Sequence, residues 1–128
     1  AMGKAMEPNE VVTEVQVPKP LKGATQAFIK FRLRKAIDFP IVSVAMVITI
    51  SNGVCKDASI ALGGVAPRPI RARESEKAIT GKAINSETAE VAAASGTTDT
   101  LPLNKNGYKV QIAKAMIKRA LLSVNSVG

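Results

Sequence analysis

The densest group of charges in the sequence is Lys30, Arg32, Arg34 and Lys35, followed at once by Asp38. Cations at the junction between two elements can meet a phosphate, a carboxylate or an electron-rich ring. The simpler reading is that Asp38 pairs with Arg34 and fixes a corner of the chain. Cys55 is the single thiol. With no histidine to activate it and no helix start expected beside it, it reads as a small apolar residue rather than a nucleophile. Tyr108 stands at the start of an expected helix and reads as a packing anchor with a hydrogen-bonded hydroxyl. Glu74 and Glu76, two apart on a helix, face different directions, which argues against a paired-carboxylate site; both read as solvated. No self-contained active site emerges from these residues.

Composition narrows the chemistry further. The chain has 128 residues, 46% of them apolar, enough for one core and too few for two full domains. The absence of histidine excludes Ser-His-Asp and Cys-His catalysis and histidine-ligated zinc or haem. One cysteine excludes intrachain disulfides, CxxC redox pairs and all-cysteine clusters, and a lone thiol suits a reducing compartment. No apolar run approaches the roughly 18 residues of a membrane span, and the first residues lack the pattern of a signal peptide. The expectation is a cytoplasmic protein with no metal and no membrane contact. The net charge of +8 could mark a nucleic-acid binder. Its even spread over both halves and the scarcity of aromatic residues for base stacking (Phe28, Phe31, Phe39, Tyr108) speak against that reading, which stands as the alternative: a basic binding or assembly module without enzymatic activity.

The elements that position these residues follow from periodicity. Residues 1–8 are set aside as disordered or as a cloning remnant, residues 9–124 as the domain, and 125–128 as a tail. Residues 11–17 place Val11, Thr13, Val15 and Val17 on one face at period two and predict a first strand, ended by Pro18 and Pro20. Residues 27–33 predict a second, with Phe28, Lys30 and Arg32 on one side and Ile29, Phe31 and Leu33 on the other. The clearest signal is a hairpin: residues 41–51 go out, Asn52-Gly53 turn, and residues 54–62 return. Val42, Val44, Met46, Ile48 and Ile50 share one face, and Val54, Ala58, Ile60 and Leu62 share the other strand's matching face. Three helices are expected after it: residues 71–80 closed by Gly81, a second from a cap at Asn85 or Ser86 to about Ala94, and a third over 108–124. A polar loop over 95–106 joins the last two. In the third helix Ile112, Ala113, Met116, Ile117, Ala120, Leu121 and Val124 form the apolar stripe, with Lys109, Lys114 and Lys118 on the wet side. Strands first and helices after predict an α+β fold, an antiparallel sheet of about four strands covered by about three helices. Leu62-Gly63-Gly64-Val65 has neither GxGxxG nor P-loop spacing, so a dinucleotide-binding fold is disfavoured.

Several stretches together resemble one family. They are Lys30 followed by Arg34-Lys35-Ala36-Ile37-Asp38; Ile60-Ala61-Leu62-Gly63-Gly64-Val65-Ala66-Pro67 continuing through Pro69-Ile70-Arg71-Ala72-Arg73 to Glu76; and Tyr108-Lys109-Val110 leading to Arg119-Ala120-Leu121. With the opening Glu10-Val11-Val12-Thr13-Glu14-Val15 run, they are similar to the C-terminal domain of the FAD-binding medium subunit of molybdenum hydroxylases, the carbon monoxide dehydrogenase and xanthine dehydrogenase group. Lys109 stands where that family often has Arg. The resemblance implies an oxidoreductase flavoprotein whose FAD is held mainly by a preceding domain. It also implies electron transfer from the iron–sulfur clusters of a small subunit through FAD to an acceptor, with molybdopterin on a large subunit. The isolated chain is then expected to hold no cofactor and to catalyse nothing alone. By analogy Lys30, Arg34 and Asp38 lie nearest the flavin side, with Ser51 and Asn52 of the hairpin turn as a second candidate. A cation near the ring would favour the anionic reduced flavin.

Overall fold

The computed structural model describes residues 6–34, 37–98 and 105–125. Its strands are β1 (Ala24–Phe31), β2 (Val42–Ser51), β3 (Val54–Gly63) and β4 (Ile70–Arg71). The helices are α1 (Arg73–Ile79), α2 (Ser86–Ser95) and α3 (Gly107–Asn125). The strands form one antiparallel meander in the order β1-β2-β3-β4. All three helices follow the sheet in sequence and cover one of its faces. α3 packs on β1 and β2, α1 on β3, and α2 on both other helices. The α+β expectation is met, with the hairpin at the centre of the sheet.

The hairpin forms for the reason its sequence gives. Asn52 and Gly53 both take positive φ, 52° and 75°, as a two-residue type I′ turn requires. Val42, Val44, Met46 and Ile48 are buried on the helix side, together with Ala58, Ile60 and Leu62 of β3. The pairing slips by one residue near the turn, where Thr49 faces Asp57 and Ile50 faces Cys55. Lys56 is the extra residue of this bulge. Were the same residues paired in a regular ladder, Lys56 would face Thr49 and Asp57 would lie opposite the buried Ile48. With the bulge Cys55 is buried and Val54 faces outward, so the expected apolar stripe is corrected at its first member, Cys55 replacing Val54.

Two strand expectations are corrected. Residues 11–17 form no strand: all are exposed and none pairs with the sheet. Period two is necessary for a half-buried strand but does not supply a neighbour to pair with. The count of four is instead completed by β4, whose two residues pair with Ala61 and Leu62. The strand expected over 27–33 begins earlier, at Ala24, and ends at Phe31. Arg32 and Leu33 already belong to the connection to β2, which the Ile41 amide closes by donating to the Phe31 carbonyl at 2.9 Å.

The helices agree with the sequence more closely. α2 is capped by Asn85, whose side chain accepts the Thr88 amide while the Thr88 hydroxyl accepts the Asn85 amide. In α3, Ala113, Met116, Ile117, Ala120, Leu121 and Val124 are buried as the 3.6-residue spacing predicts, with Ile112 packed at the margin. α1 is shorter than expected because Arg71 is taken by the ladder with Ala61, so the helix starts only at Arg73. Gly81, at φ +78°, follows it, and its amide and the Lys82 carbonyl pair with Cys55 at 2.7 and 2.8 Å, tying the α1–α2 turn to the bulged start of β3. Of the expected 95–106 loop, Ser95 closes α2 and residues 99–104 lie outside the described residues.

Candidate functional site

The corner between β1 and β2 is built around Asp38. The Arg34 amide and Nε donate to Asp38 Oδ2, and Nη2 donates to Oδ1, each at 3.3 Å. The Arg34 hydrogen bond, aided by the Arg34 and Phe39 amides and the Lys30 charge against some desolvation, holds the Asp38 carboxyl below its ordinary value. The ion pair expected as the simpler reading is therefore present, and it ties down a cation that was a candidate for an external anion. Lys30 stands on the sheet face away from the helices, opposite Ser43. Lys35, between them, lies outside the described residues. Around this neutralised pair Leu33, Ile37 and Phe39 stand out into solvent, Phe39 91% exposed, with Phe28 exposed on the neighbouring sheet face. Apolar groups gathered around a satisfied ion pair suit contact with another protein surface better than capture of a free ion.

Ser51 and Asn52 sit elsewhere. They occupy the exposed turn at the far end of β2, and ten strand residues place them on the order of 30 Å from the Asp38 corner. The two sets of candidate residues therefore do not form one site.

A third arrangement lies where β3, β4 and α1 meet, and Glu76 is its centre. Ile60 donates its amide to Glu76 Oε1 at 2.7 Å, while Arg71 donates to the same carboxylate from Nε at 2.7 Å and from Nη2 at 2.9 Å. Arg71 also reaches Ser59 Oγ at 3.2 Å. Burial pushes the Glu76 carboxyl up, but the Arg71 hydrogen bond, the Ile60 amide and the charges of Arg71 and Arg73 outweigh it and hold it below its ordinary value. The expectation that Glu76 is solvated is corrected: its side chain is 13% exposed. Its i−4 and i+3 neighbours, Ala72 and Ile79, are buried, and that apolar flank was the sequence signal for its orientation. Glu74 does behave as expected, in an exposed pair with Lys77.

Beside Glu76 a cleft of about 610 Å³ opens between the 62–73 segment and the near ends of α2 and α3. Of its cations Arg71, Arg73 and Lys109, two serve the chain itself. Arg71 holds Glu76, and Lys109, half-buried rather than on the wet side, donates from Nζ to the Gly64 carbonyl at 3.0 Å. Lys118 likewise pairs with Glu90. Tyr108 is 53% exposed and is no packing anchor. Cys55 is buried, and burial together with the Asp57 charge pushes its thiol up, which suits a core residue and not a nucleophile.

The glycine pair beside the cleft is not a phosphate cradle. A Cβ on Gly63 would lie 2.5 Å from Ser43 Oγ, and one on Gly64 would lie 2.8 Å from the Ile41 carbonyl. Both glycines thus serve a close approach between two segments of this chain. Their backbone does not open a helix N-terminus toward a ligand, as pyrophosphate sites do. The residues present do not fit an FAD-holding site of their own. Among the described residues there is also no cluster of three or more potential metal ligands, and no helix is long and apolar enough to cross a membrane.

An antiparallel meander with three helices on one face and no nucleotide cradle among the described residues define an α+β domain. The particular family is equally definite: residues 26–124 match the CO dehydrogenase flavoprotein C-terminal domain, and the chain belongs to that family. It is 33% identical to the carbon monoxide dehydrogenase medium chain of Afipia carboxidovorans over 121 residues, covering 91% of this chain and 42% of that one. It is 30% identical over 119 residues to the glyceraldehyde dehydrogenase medium chain of Sulfolobus acidocaldarius, covering 90% and 42%. A solved carbon monoxide dehydrogenase from Hydrogenophaga pseudoflava superimposes with a TM-score of 0.75 at 34% identity, over 83% of this chain and 38% of that one. The chain thus spans about two fifths of the length of the curated relatives it matches.

Proposed function

We propose that the chain is the C-terminal domain of the FAD-binding medium subunit of a molybdenum hydroxylase-type oxidoreductase. It carries no active site of its own. Its family membership carries the reading, together with the fact that it matches only 42% of the Afipia carboxidovorans medium chain. In such a subunit the FAD relays electrons from iron–sulfur clusters to an acceptor, and a preceding domain holds it. This chain's own task is to present a rigid docking surface to that domain. The iron–sulfur small subunit and the molybdopterin large subunit are its further partners, and a cytoplasmic location belongs to the same reading.

Of the two candidate spots, the Lys30, Arg34 and Asp38 corner is the one we assign to the flavin side. It combines a fixed ion pair with the exposed Leu33, Ile37 and Phe39, whereas the Ser51-Asn52 turn offers only polar atoms at the far end of the hairpin. A basic nucleic-acid module is less well supported, because Arg34, Arg71, Lys77 and Lys118 all spend their charge on carboxylates of this chain.

The test is to purify the chain alone and together with the FAD-binding portion of the same subunit. The chain alone is expected to be colourless, and the mixture to co-elute as a complex with flavin absorbance. Retention of FAD by the isolated chain, or failure to associate, would overturn the proposal.

A further inference from the structure

Residues 11–17 have every local property of a strand and no partner. Val11, Thr13, Val15 and Val17 alternate with Val12, Glu14 and Gln16, yet Val11 and Val17 are each 83% exposed. Gln16 Nε2 donates to Glu14 Oε1 at 2.7 Å, so side chains two residues apart already stand on the same side, as in an extended backbone. The segment is bounded on one side by a turn, in which the Glu10 amide donates to the Glu7 carbonyl at 3.1 Å, and on the other by Pro18.

The free edge of β1 is the nearest place for this segment to pair, and the chain is built against it. The Ala24 amide donates to the Leu21 carbonyl at 3.0 Å, closing a turn with Lys22 and Gly23 at its centre. Gly23 alone has positive φ, +82°, which is the sign pattern of a type II turn. Unprimed turns of this kind splay flanking strands apart instead of pairing them. Pro18 and Pro20 then remove two amides from the stretch that would have to form the first rungs.

The similarity to relatives supplies the other half of the argument. The matched family domain begins at residue 26, but the match to the Afipia carboxidovorans medium chain covers 91% of this chain, more than 26–124 comprises, and so extends ahead of it. Residues ahead of 26 are therefore shared with that medium chain although they precede the matched family domain. We infer that residues 11–17 add as a strand to the open edge of a β-sheet in the FAD-binding portion of the same subunit, with the Val11, Thr13, Val15 and Val17 face covered and the Glu14 and Gln16 face toward water. Main-chain hydrogen bonds give such an added strand its affinity, and the alternating side chains give it register. This inference rests on the proposed function and deepens it by naming a covalently continuous docking element separate from the Asp38 corner.

Amide hydrogen exchange on the chain alone and in complex with the FAD-loaded portion of the subunit tests it, alongside Val15→Pro. In the free chain the 11–17 amides should exchange without protection. In the complex they should be protected by a hundredfold or more. Val15 makes no contact with the core, so Val15→Pro should leave the melting of the chain unchanged and weaken the complex by tenfold or more. A complex that forms with 11–17 still unprotected and Val15→Pro without effect overturns the strand inference and leaves the proposed function standing. Protection of 11–17 in the chain alone also overturns it, indicating pairing with β1 if independent of concentration and with a second copy if not. The absence of any complex overturns the proposed function and this inference with it.

Discussion

The Glu76 carboxylate accepts the amide of Ile60 at 2.7 Å, and this side chain replaces a rung of the sheet. The register of β3 with β4 sets Ile60 opposite Ala72, and Ala72 does donate its amide to the Ile60 carbonyl at 2.8 Å. The return bond cannot form, because the Ala72 carbonyl has turned into α1 and accepts the Glu76 amide at 3.1 Å. Glu76 thus takes one acceptor away from the strand with its backbone and gives one back with its side chain. That exchange lets β4 end after two residues and a helix begin without orphaning a buried amide.

Replacing Glu76 with Ala should therefore cost about 1–3 kcal/mol, because it strands the Ile60 amide and leaves Arg71 without its partner. Glu76→Gln keeps an acceptor for the amide and should cost less. Urea unfolding of the three proteins, compared at equal m-value, checks the order.

Acid should reveal the same carboxylate. The folded value of Glu76 is lowered from an ordinary 4.5, so its contribution is fully present above that value and is lost as pH falls through the lower folded value. Asp38, lowered from 3.8, acts with the same sign. Melting temperature measured from pH 7 downward should hold until about the unfolded carboxylate range and then fall. Glu76→Gln should start lower and fall less. A Glu76→Gln curve parallel to the unmodified protein's throughout would count against this role.

Two glycines of similar backbone should respond differently to alanine. Gly64 has φ +77° and Gly23 φ +82°, but a Cβ at Gly64 meets the Ile41 and Pro40 carbonyls at 2.8 and 3.1 Å, while one at Gly23 meets nothing within 4 Å. Gly23→Ala should cost about 1–2 kcal/mol, for the left-handed backbone alone. Gly64→Ala adds a clash with backbone that cannot swing aside and should cost about 3 kcal/mol or more. Denaturant midpoints of both variants decide whether chain approach is the reason for glycine at residue 64.

Cys55 should be silent in the native state. Burial, reinforced by the Asp57 charge, raises its thiol above the ordinary range, and the side chain has no exposed surface. Labelling by a thiol-reactive chromophore should be about a hundredfold or more slower than in urea, and should accelerate with denaturant in step with global opening.

What the sequence made legible was whatever a residue decides with its immediate neighbours. Asn52-Gly53 fixes the turn, the Asn85 and Thr88 pair fixes the start of α2, and the stripe from Ala113 to Val124 fixes the buried face of α3. Arg34 and Asp38, four apart, find each other for the same reason. What could not be read depends on partners distant in sequence. Residues 11–17 carry a strand's pattern without a strand's neighbour, and β4 has almost no pattern and exists because β3 offers it an edge. Glu76 and Lys109 look like surface charges until β3 and the Gly64 carbonyl arrive beside them. The 30 Å scale between the Asp38 corner and the Ser51-Asn52 turn is invisible in a resemblance, which assigns both to one cofactor without saying that a whole strand lies between them.

The bulge at Lys56 gives the hairpin one place where a residue can be lost without changing which side chains face the helices. Lys56 itself is exposed, and its identity can drift freely. Loss of Lys56 would leave Ile50 opposite Cys55, Thr49 opposite Asp57 and Ile48 opposite Ala58 in a plain ladder, whereas one residue fewer between Ala58 and Leu62 would turn part of that arm onto the solvent side. Relatives that differ in hairpin length should therefore change at the Asn52-Gly53 tip, lack the bulge residue, or change in pairs along the arm from Ala58 to Leu62. An odd-numbered change there should appear only alongside a second one that restores parity.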